Sequence, residues 1–289
     1  MSSRRVKIGS LFAGIGGLDK GIEDALRAAG FDVELAWQVE KNDFARAVLA
    51  KHWPGVNRSV TDVRAASPLV LPCVDWIVGG FPCQDLSSNG KGAGLSGARS
   101  GLWWECHRIV AAFRPTVVVV ENVTSGKDRW LCPVRRSLHE LGYHTTPLGI
   151  SAQDVGAPHI RERIFVVAYT DNGRRQAFRD SGQLDPGERP GQRHDTDRRR
   201  GARGSPHVRR QGVEPRLDRG VDGVPAGVDA DPVWSLRWPA GRGEQQHRWE
   251  PPRAAAGVPQ VFERLTALGN AVMPACAEEV GRWIVQNVL

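Results

Sequence analysis

The sequence predicts an α/β fold built on a mostly parallel central sheet, and three features carry that expectation. Short apolar runs of strand length alternate with helical patterns from residue 6 to residue 170. The first such run empties into a glycine-rich turn that opens a helix. Beyond Asp171 the alternation stops, and Gly, Pro, Arg and Asp take over.

The elements follow in order. Val6–Phe12 reads as the first strand and Leu18–Ala29 as the helix behind its glycine turn. Val33–Val39 is the second strand and Asp43–His52 the second helix. Trp76–Val78, Thr116–Val120 and Ile164–Ala168 are further strands, while Leu102–Phe113 and Pro133–Leu141 carry helical spacing. Asp171 to about Asp231 holds no period and almost no aromatic residues. Such a stretch cannot bury enough apolar surface to offset its ordering entropy, so it is expected to be disordered. Trp234, Trp238 and Trp249 then return among prolines and glycines. Phe262–Leu289 resumes order, with a helix from about Ala275 that places Val280, Trp283, Ile284 and Val288 on one face.

With 289 residues, 40% of them apolar, the chain can bury one large domain, or one domain and a small companion. A formal charge of +7 favours an acidic partner, nucleic acid first, although a genome rich in arginine codons gives the same excess. Arginines number thirty-three against six lysines, and Arg174–Arg219 alone holds thirteen arginines and seven acids. No apolar run approaches the roughly 18 residues of a bilayer span, and no apolar stretch follows the basic N-terminus. The expectation is a cytoplasmic protein with no membrane association. The five cysteines form no CxxC pair, which argues against a disulfide framework and against a metal site. Cys73, Cys106, Cys132 and Cys276 read as small buried hydrophobes.

In parallel sheets ligands bind beyond the carboxyl ends of the strands, so the chemistry is sought there. After the first strand come Phe12, Ala13, Gly14, Ile15, Gly16 and Gly17, a turn that lets a ligand approach the backbone at a helix N-terminus. Asp19 occupies the third glycine position of the GxGxxG pattern, which disfavours a dinucleotide pyrophosphate. A plain structural turn would use the same glycines. Glu40 ends the second strand, where a carboxylate can accept hydrogen bonds from two ribose hydroxyls. Asp62 is placed to meet an adenine amino group; both acids would also suit surface caps.

Four further pieces complete the pattern. They are Gly79-Gly80-Phe81-Pro82-Cys83-Gln84-Asp85-Leu86-Ser87, Glu121-Asn122-Val123, Gln153 through Arg163, and Gly269-Asn270-Ala271-Val272-Met273-Pro274. Together with the glycine turn they occur in the order of the cytosine-5 DNA methyltransferase family, and the chain resembles its bacterial and phage members over roughly residues 6–170 and 265–289. The resemblance implies a Rossmann-like S-adenosylmethionine-dependent methyltransferase fold acting on double-stranded DNA, as a monomer and without metal. It implies Cys83 as the nucleophile toward cytosine carbon 6 and Glu121 as the acid toward the ring nitrogen. Arg163 and Arg161 would sit near the base carbonyl. The implied cofactor contacts are Phe12, Gly14, Gly16, Gly17, Glu40 and Lys41 at the ends of the first two strands and the turns that follow them. Asp62, Val63, Pro82, Leu102, Asn270 and Val272 supply the rest. Gln84, Ser87 and Arg99 would meet DNA, and the glycine-rich segment Ser87–Ser100 resembles the family's loop that closes over a base flipped from the duplex.

The resemblance has gaps. His159 stands where the family usually has glutamine, and Ala267-Leu268 replaces a glutamine-containing step. The helix-entry motif that ends the family's recognition domain is missing between Asp171 and Gly257. The expected division is therefore a catalytic domain at 1–170, a reduced recognition region at 171–258, and a returning segment at 259–289. A tRNA cytosine methyltransferase and an inactive DNA-binding modulator are the rival readings. A restriction partner, a solitary enzyme and a mobile element's protector are all compatible roles.

Overall fold

The computed structural model describes residues 4–82, 101–171, 245 and 258–289. The segment expected to be disordered, most of the recognition region, and Cys83, Gln84, Ser87 and Arg99 lie outside the described residues.

A six-stranded sheet organises the rest. Its strands are β1 (Arg5–Leu11), β2 (Asp32–Val39), β3 (Trp76–Gly80), β4 (Val117–Val123), β5 (His144–Ser151) and β6 (Glu162–Tyr169), in spatial order β2-β1-β3-β4-β6-β5. The first four run parallel; β6 is antiparallel to both β4 and β5. The helices are α1 (Gly17–Ala28), α2 (Asp43–His52), α3 (Leu102–Phe113), α4 (Lys127–Glu140), α5 (Val261–Asn270) and α6 (Pro274–Asn287).

Both faces of the sheet are covered, which explains why β4 reads as an unbroken valine run. Val118 and Val120 pack on one face with Trp103, Ile109, Trp130 and Leu138 of α3 and α4. Val117 and Val119 pack on the other with Leu18, Ile22, Val280 and Ile284 of α1 and α6. The sequence pattern of α6 is met by burial of Val280, Ile284 and Val288. Close approach of α6 to α1 depends on Gly21: a Cβ there would fall 2.2 Å from the Pro274 carbonyl.

Several elements differ from expectation. β1 stops at Leu11 because Phe12 turns to φ 52°. β4 runs on to Val123, so Glu121 lies within the strand. α4 starts at Lys127 and carries Pro133 inside it, where the missing N–H leaves one carbonyl of the preceding turn without a helical donor. The expected start at Pro133 placed the proline at the first helical position instead. β5 and α5 were not anticipated. Two of the four cysteines expected to be buried, Cys73 and Cys132, are exposed: one lies in the loop before β3, the other on the solvent side of α4. Among the described residues no helix is long and apolar enough to cross a membrane, and no cluster of three or more His, Cys, Asp or Glu could hold a metal.

Candidate active site

β1 is flanked by β2 on one side and β3 on the other, so successive connections leave it in opposite directions and open a crevice at its carboxyl end. The glycine turn sits there. Phe12, Gly14 and Gly16 have φ of 52°, 55° and 84°, left-handed values that a phenylalanine adopts only where its surroundings hold it. A Cβ on Gly14 would meet nothing within 4 Å, so the turn borders open space at the N-terminus of α1. Phe12, Gly14, Gly17, Glu121, Asn270 and Val272 are among the residues that line this cleft.

Glu40, just past β2, is tied to the turn. One carboxylate oxygen accepts the Gly14 N–H at 2.8 Å and the other accepts the Asn42 N–H at 2.8 Å. A carboxylate has about four lone-pair sites, so two remain for hydroxyl donors. Farther out, Asp62 caps the turn Val63–Ala65 and pairs with Lys41 at 3.3 Å. The Arg64 backbone N–H, with Lys41 and Arg64 nearby, holds the Asp62 carboxyl below the usual carboxylate range. The Val63 side chain is buried in the core, and Leu102 packs partly against that same core. Like Gly16 and Glu40, which adjoin the cleft beside Gly14, none of Lys41, Asp62, Val63, Pro82 and Leu102 is among the residues that line it.

Glu121 reaches the same cleft from β4. It is 8% exposed, and its carboxylate pairs with Arg163 Nε at 3.0 Å. Glu121 and Gly80 are register partners, and a Cβ on Gly80 would fall 2.7 Å from the carboxylate. Glycine at the end of β3 therefore admits the acid. Burial pushes the Glu121 carboxyl up to about 7, outweighing the opposing pull of Arg163 and Arg161. A carboxyl poised near neutrality can hold a proton and release it.

The two arginines divide their tasks. Arg163 faces Glu121 and also donates to the Glu162 carbonyl at 2.8 Å. Arg161, just before β6, donates to the Gly269 carbonyl at 2.8 Å and to the Ala271 carbonyl at 2.6 Å. Its guanidinium thereby fastens the Asn270–Val272 step to the rim of the cleft. Asn122 belongs to the site although its sequence motif suggested no role for it. Buried to 1% exposure, it donates to the Phe81 carbonyl at 3.2 Å, holding the end of β3 where the chain leads through Pro82 toward Cys83. Its only local signal was its place after Glu121 at a strand end.

Sheet order and cleft position define a doubly wound α/β protein with a Rossmann-type ligand site. Within that class, residues 6–193 match the model of C-5 cytosine-specific DNA methylases, and the chain belongs to that family. It is 33% identical over 173 residues to the Type II methyltransferase M2.BsuMI of Bacillus subtilis, a match covering 56% of this chain and 42% of that protein. To the Type II methyltransferase M.NgoFVII of Neisseria gonorrhoeae it is 33% identical over 180 residues, covering 57% and 44%. The chain thus spans less than half the length of either relative. Among solved structures, the Entamoeba histolytica methyltransferase EhMeth shares the fold, with a TM-score of 0.51 at 20% identity, covering 58% of this chain and 53% of that one.

Proposed function

We propose that the chain transfers a methyl group from S-adenosylmethionine to carbon 5 of a cytosine in double-stranded DNA, using Cys83 as nucleophile. The observation that carries this reading is Glu121: a buried carboxyl near neutrality, paired with Arg163, beside the glycine turn. The cleft suits the cofactor. It offers a helix N-terminus and open space over Gly14, with Phe12 on its lining, and the Glu40 carboxylate adjoins it through the Gly14 N–H with accepting capacity left for ribose hydroxyls. When bound, S-adenosylmethionine supplies an electrophilic methyl group on a sulfonium.

The protein's residues then act on the base. The Cys83 thiolate adds to carbon 6, while the Glu121 carboxyl gives its proton to the ring nitrogen. Carbon 5, now electron-rich, takes the methyl group. Transfer of the carbon-5 proton to water in the site expels the Cys83 thiolate, and the ring-nitrogen proton returns to Glu121. Arg163 holds Glu121 in place and presents a guanidinium toward the base carbonyl, while Arg161 braces the cofactor side of the cleft. The cytosine reaches this depth only if flipped from its duplex. Gln84, Ser87 and Arg99 are assigned to that DNA. Residues 1–170 and 259–289 form the catalytic part in this reading, and 171–258 carry recognition, with the arginine-rich stretch supplying phosphate contacts.

Expression of the full chain in a host lacking cytosine methylation, followed by sequencing for 5-methylcytosine, tests the function. Methylation confined to one sequence context is the expected result; unmodified host DNA would favour the inactive modulator. At the cofactor, Glu40→Ala is expected to weaken S-adenosylmethionine binding by about 1.5–3 kcal/mol, the range of hydrogen bonds to a charged group. Calorimetric titration of a folded variant with unchanged affinity would remove Glu40 from the site.

A further inference from the structure

Beneath the glycine turn lies a closed ring of polar contacts that the proposed chemistry does not use. Asp19, in the first turn of α1, is 1% exposed. Its Oδ1 accepts the Ser10 hydroxyl at 2.6 Å and its Oδ2 accepts the Gln38 amide at 2.7 Å. Ser10 stands on β1 just before Leu11 and Phe12, and Gln38 stands on β2 just before Val39 and Glu40. One carboxylate therefore ties together the two strands whose ends frame the cleft.

The ring continues outward. Arg58 Nε donates to the Gln38 side-chain oxygen at 2.9 Å, and the same guanidinium donates to the carbonyls of Leu49 and Trp53 at the C-terminal end of α2. It closes on α1, where the Trp53 indole N–H donates to Glu23 at 2.8 Å. The Trp53 ring also fills the space under the turn, since a Cβ on Gly16 would fall 2.4 Å from it. Asp19 and Ser10 border the cleft themselves. Burial pushes the Asp19 carboxyl up to about 6 even with two donors on it, so the acid is costly to keep there. An asparagine of the same shape would avoid that cost, but its single oxygen can serve only Gln38, Ser10 would have to turn its hydroxyl round to accept from the NH₂, and the charge on both contacts would be lost.

We propose that Asp19 is a positioning residue for cofactor binding: by accepting from β1 and β2 at once, it sets the distance between the glycine turn and Glu40. The proposal rests on the cofactor reading above, in which Glu40 holds the ribose hydroxyls. Glu40 already accepts the Gly14 N–H, so a shift of β2 against β1 would pull the carboxylate from both partners.

The test is calorimetric titration of the full chain with S-adenosylhomocysteine, using wild type, Asp19→Asn, Glu40→Ala and the double variant. Asp19→Asn should weaken binding about tenfold, the equivalent of one lost charged hydrogen bond. In the Glu40→Ala background the same change should cost less than about twofold, because the two residues act through one contact. Equal affinity of wild type and Asp19→Asn would overturn the proposal. So would a full tenfold loss persisting without Glu40, which would mean general loosening of the fold. Should Asp19→Asn fail to fold, Ser10→Ala removes one donor with little change in volume. Its loss, about threefold, must likewise vanish without Glu40; unchanged binding would overturn the proposal. A wild-type chain that does not bind S-adenosylhomocysteine would overturn the cofactor reading, and this proposal with it.

Discussion

Glutamine in place of Glu121 is expected to slow adduct formation with the target cytosine by about 10²–10⁴-fold, the usual worth of a positioned general acid. The amide fits the same pocket beside Gly80 and can still meet Arg163, but it has no acid proton to give. The pH dependence separates this from simple damage. Burial raises the Glu121 carboxyl to about 7, so below that pH the wild type carries the proton, and above it the proton is lost. The Cys83 thiolate fraction rises over the same range and is common to both enzymes, so the ratio of wild-type to Glu121→Gln rates should fall as pH rises through about 7, a descending limb that reports the Glu121 proton. Arg163→Ala should move the limb to higher pH, since the guanidinium lowers the Glu121 carboxyl. Rapid-quench rates across pH 6–9 would check both, pH 6–9 being roughly the window in which such a group titrates. A Glu121→Gln variant with wild-type rates would remove the acid from the mechanism.

The parts of this site that the sequence made legible are those fixed by local rules. The glycine turn was legible as a strand running into glycines and then a helix, a pattern that a plain structural turn shares, and Phe12, Gly14 and Gly17 border the cleft. Glu40 was found from its place at a strand end, and it adjoins the cleft through Gly14. Glu121 was implied by the family resemblance of Glu121-Asn122-Val123, and β4 continues past it as a strand. What stayed hidden depends on contacts between distant segments. The resemblance implied Arg161 and Arg163 together near the base carbonyl. β6 begins only at Glu162, so Arg161 is free to turn toward Gly269 and Ala271, and nothing near position 161 announces those partners. Asn122 likewise acts on Phe81, across the sheet. Asp19 was read only as a broken glycine pattern; its bonds to Ser10 and Gln38 need the fold. β5 escaped because His144–Ser151 contains Pro147 and Gly149 and only Leu148 of its residues is buried, as suits a strand at the sheet edge. α5 escaped because none of its residues is buried, leaving no single buried face to set a helical period.

The proposed attack of Cys83 on carbon 6 is open to covalent trapping. DNA carrying 5-fluorocytosine at the target site is incubated with the full chain and S-adenosylmethionine, and covalent complexes are isolated under denaturing conditions. After methyl transfer, fluorine at carbon 5 cannot leave as a proton does, so the thiolate cannot be expelled and the complex persists. Peptide mapping should place the adduct on Cys83 alone. Cys83→Ala should abolish both the complex and turnover while keeping affinity for S-adenosylhomocysteine, because the thiol acts on the base. An adduct mapped to Cys73, Cys106, Cys132 or Cys276, or a Cys83→Ala chain that still methylates cytosine at carbon 5, would contradict the account.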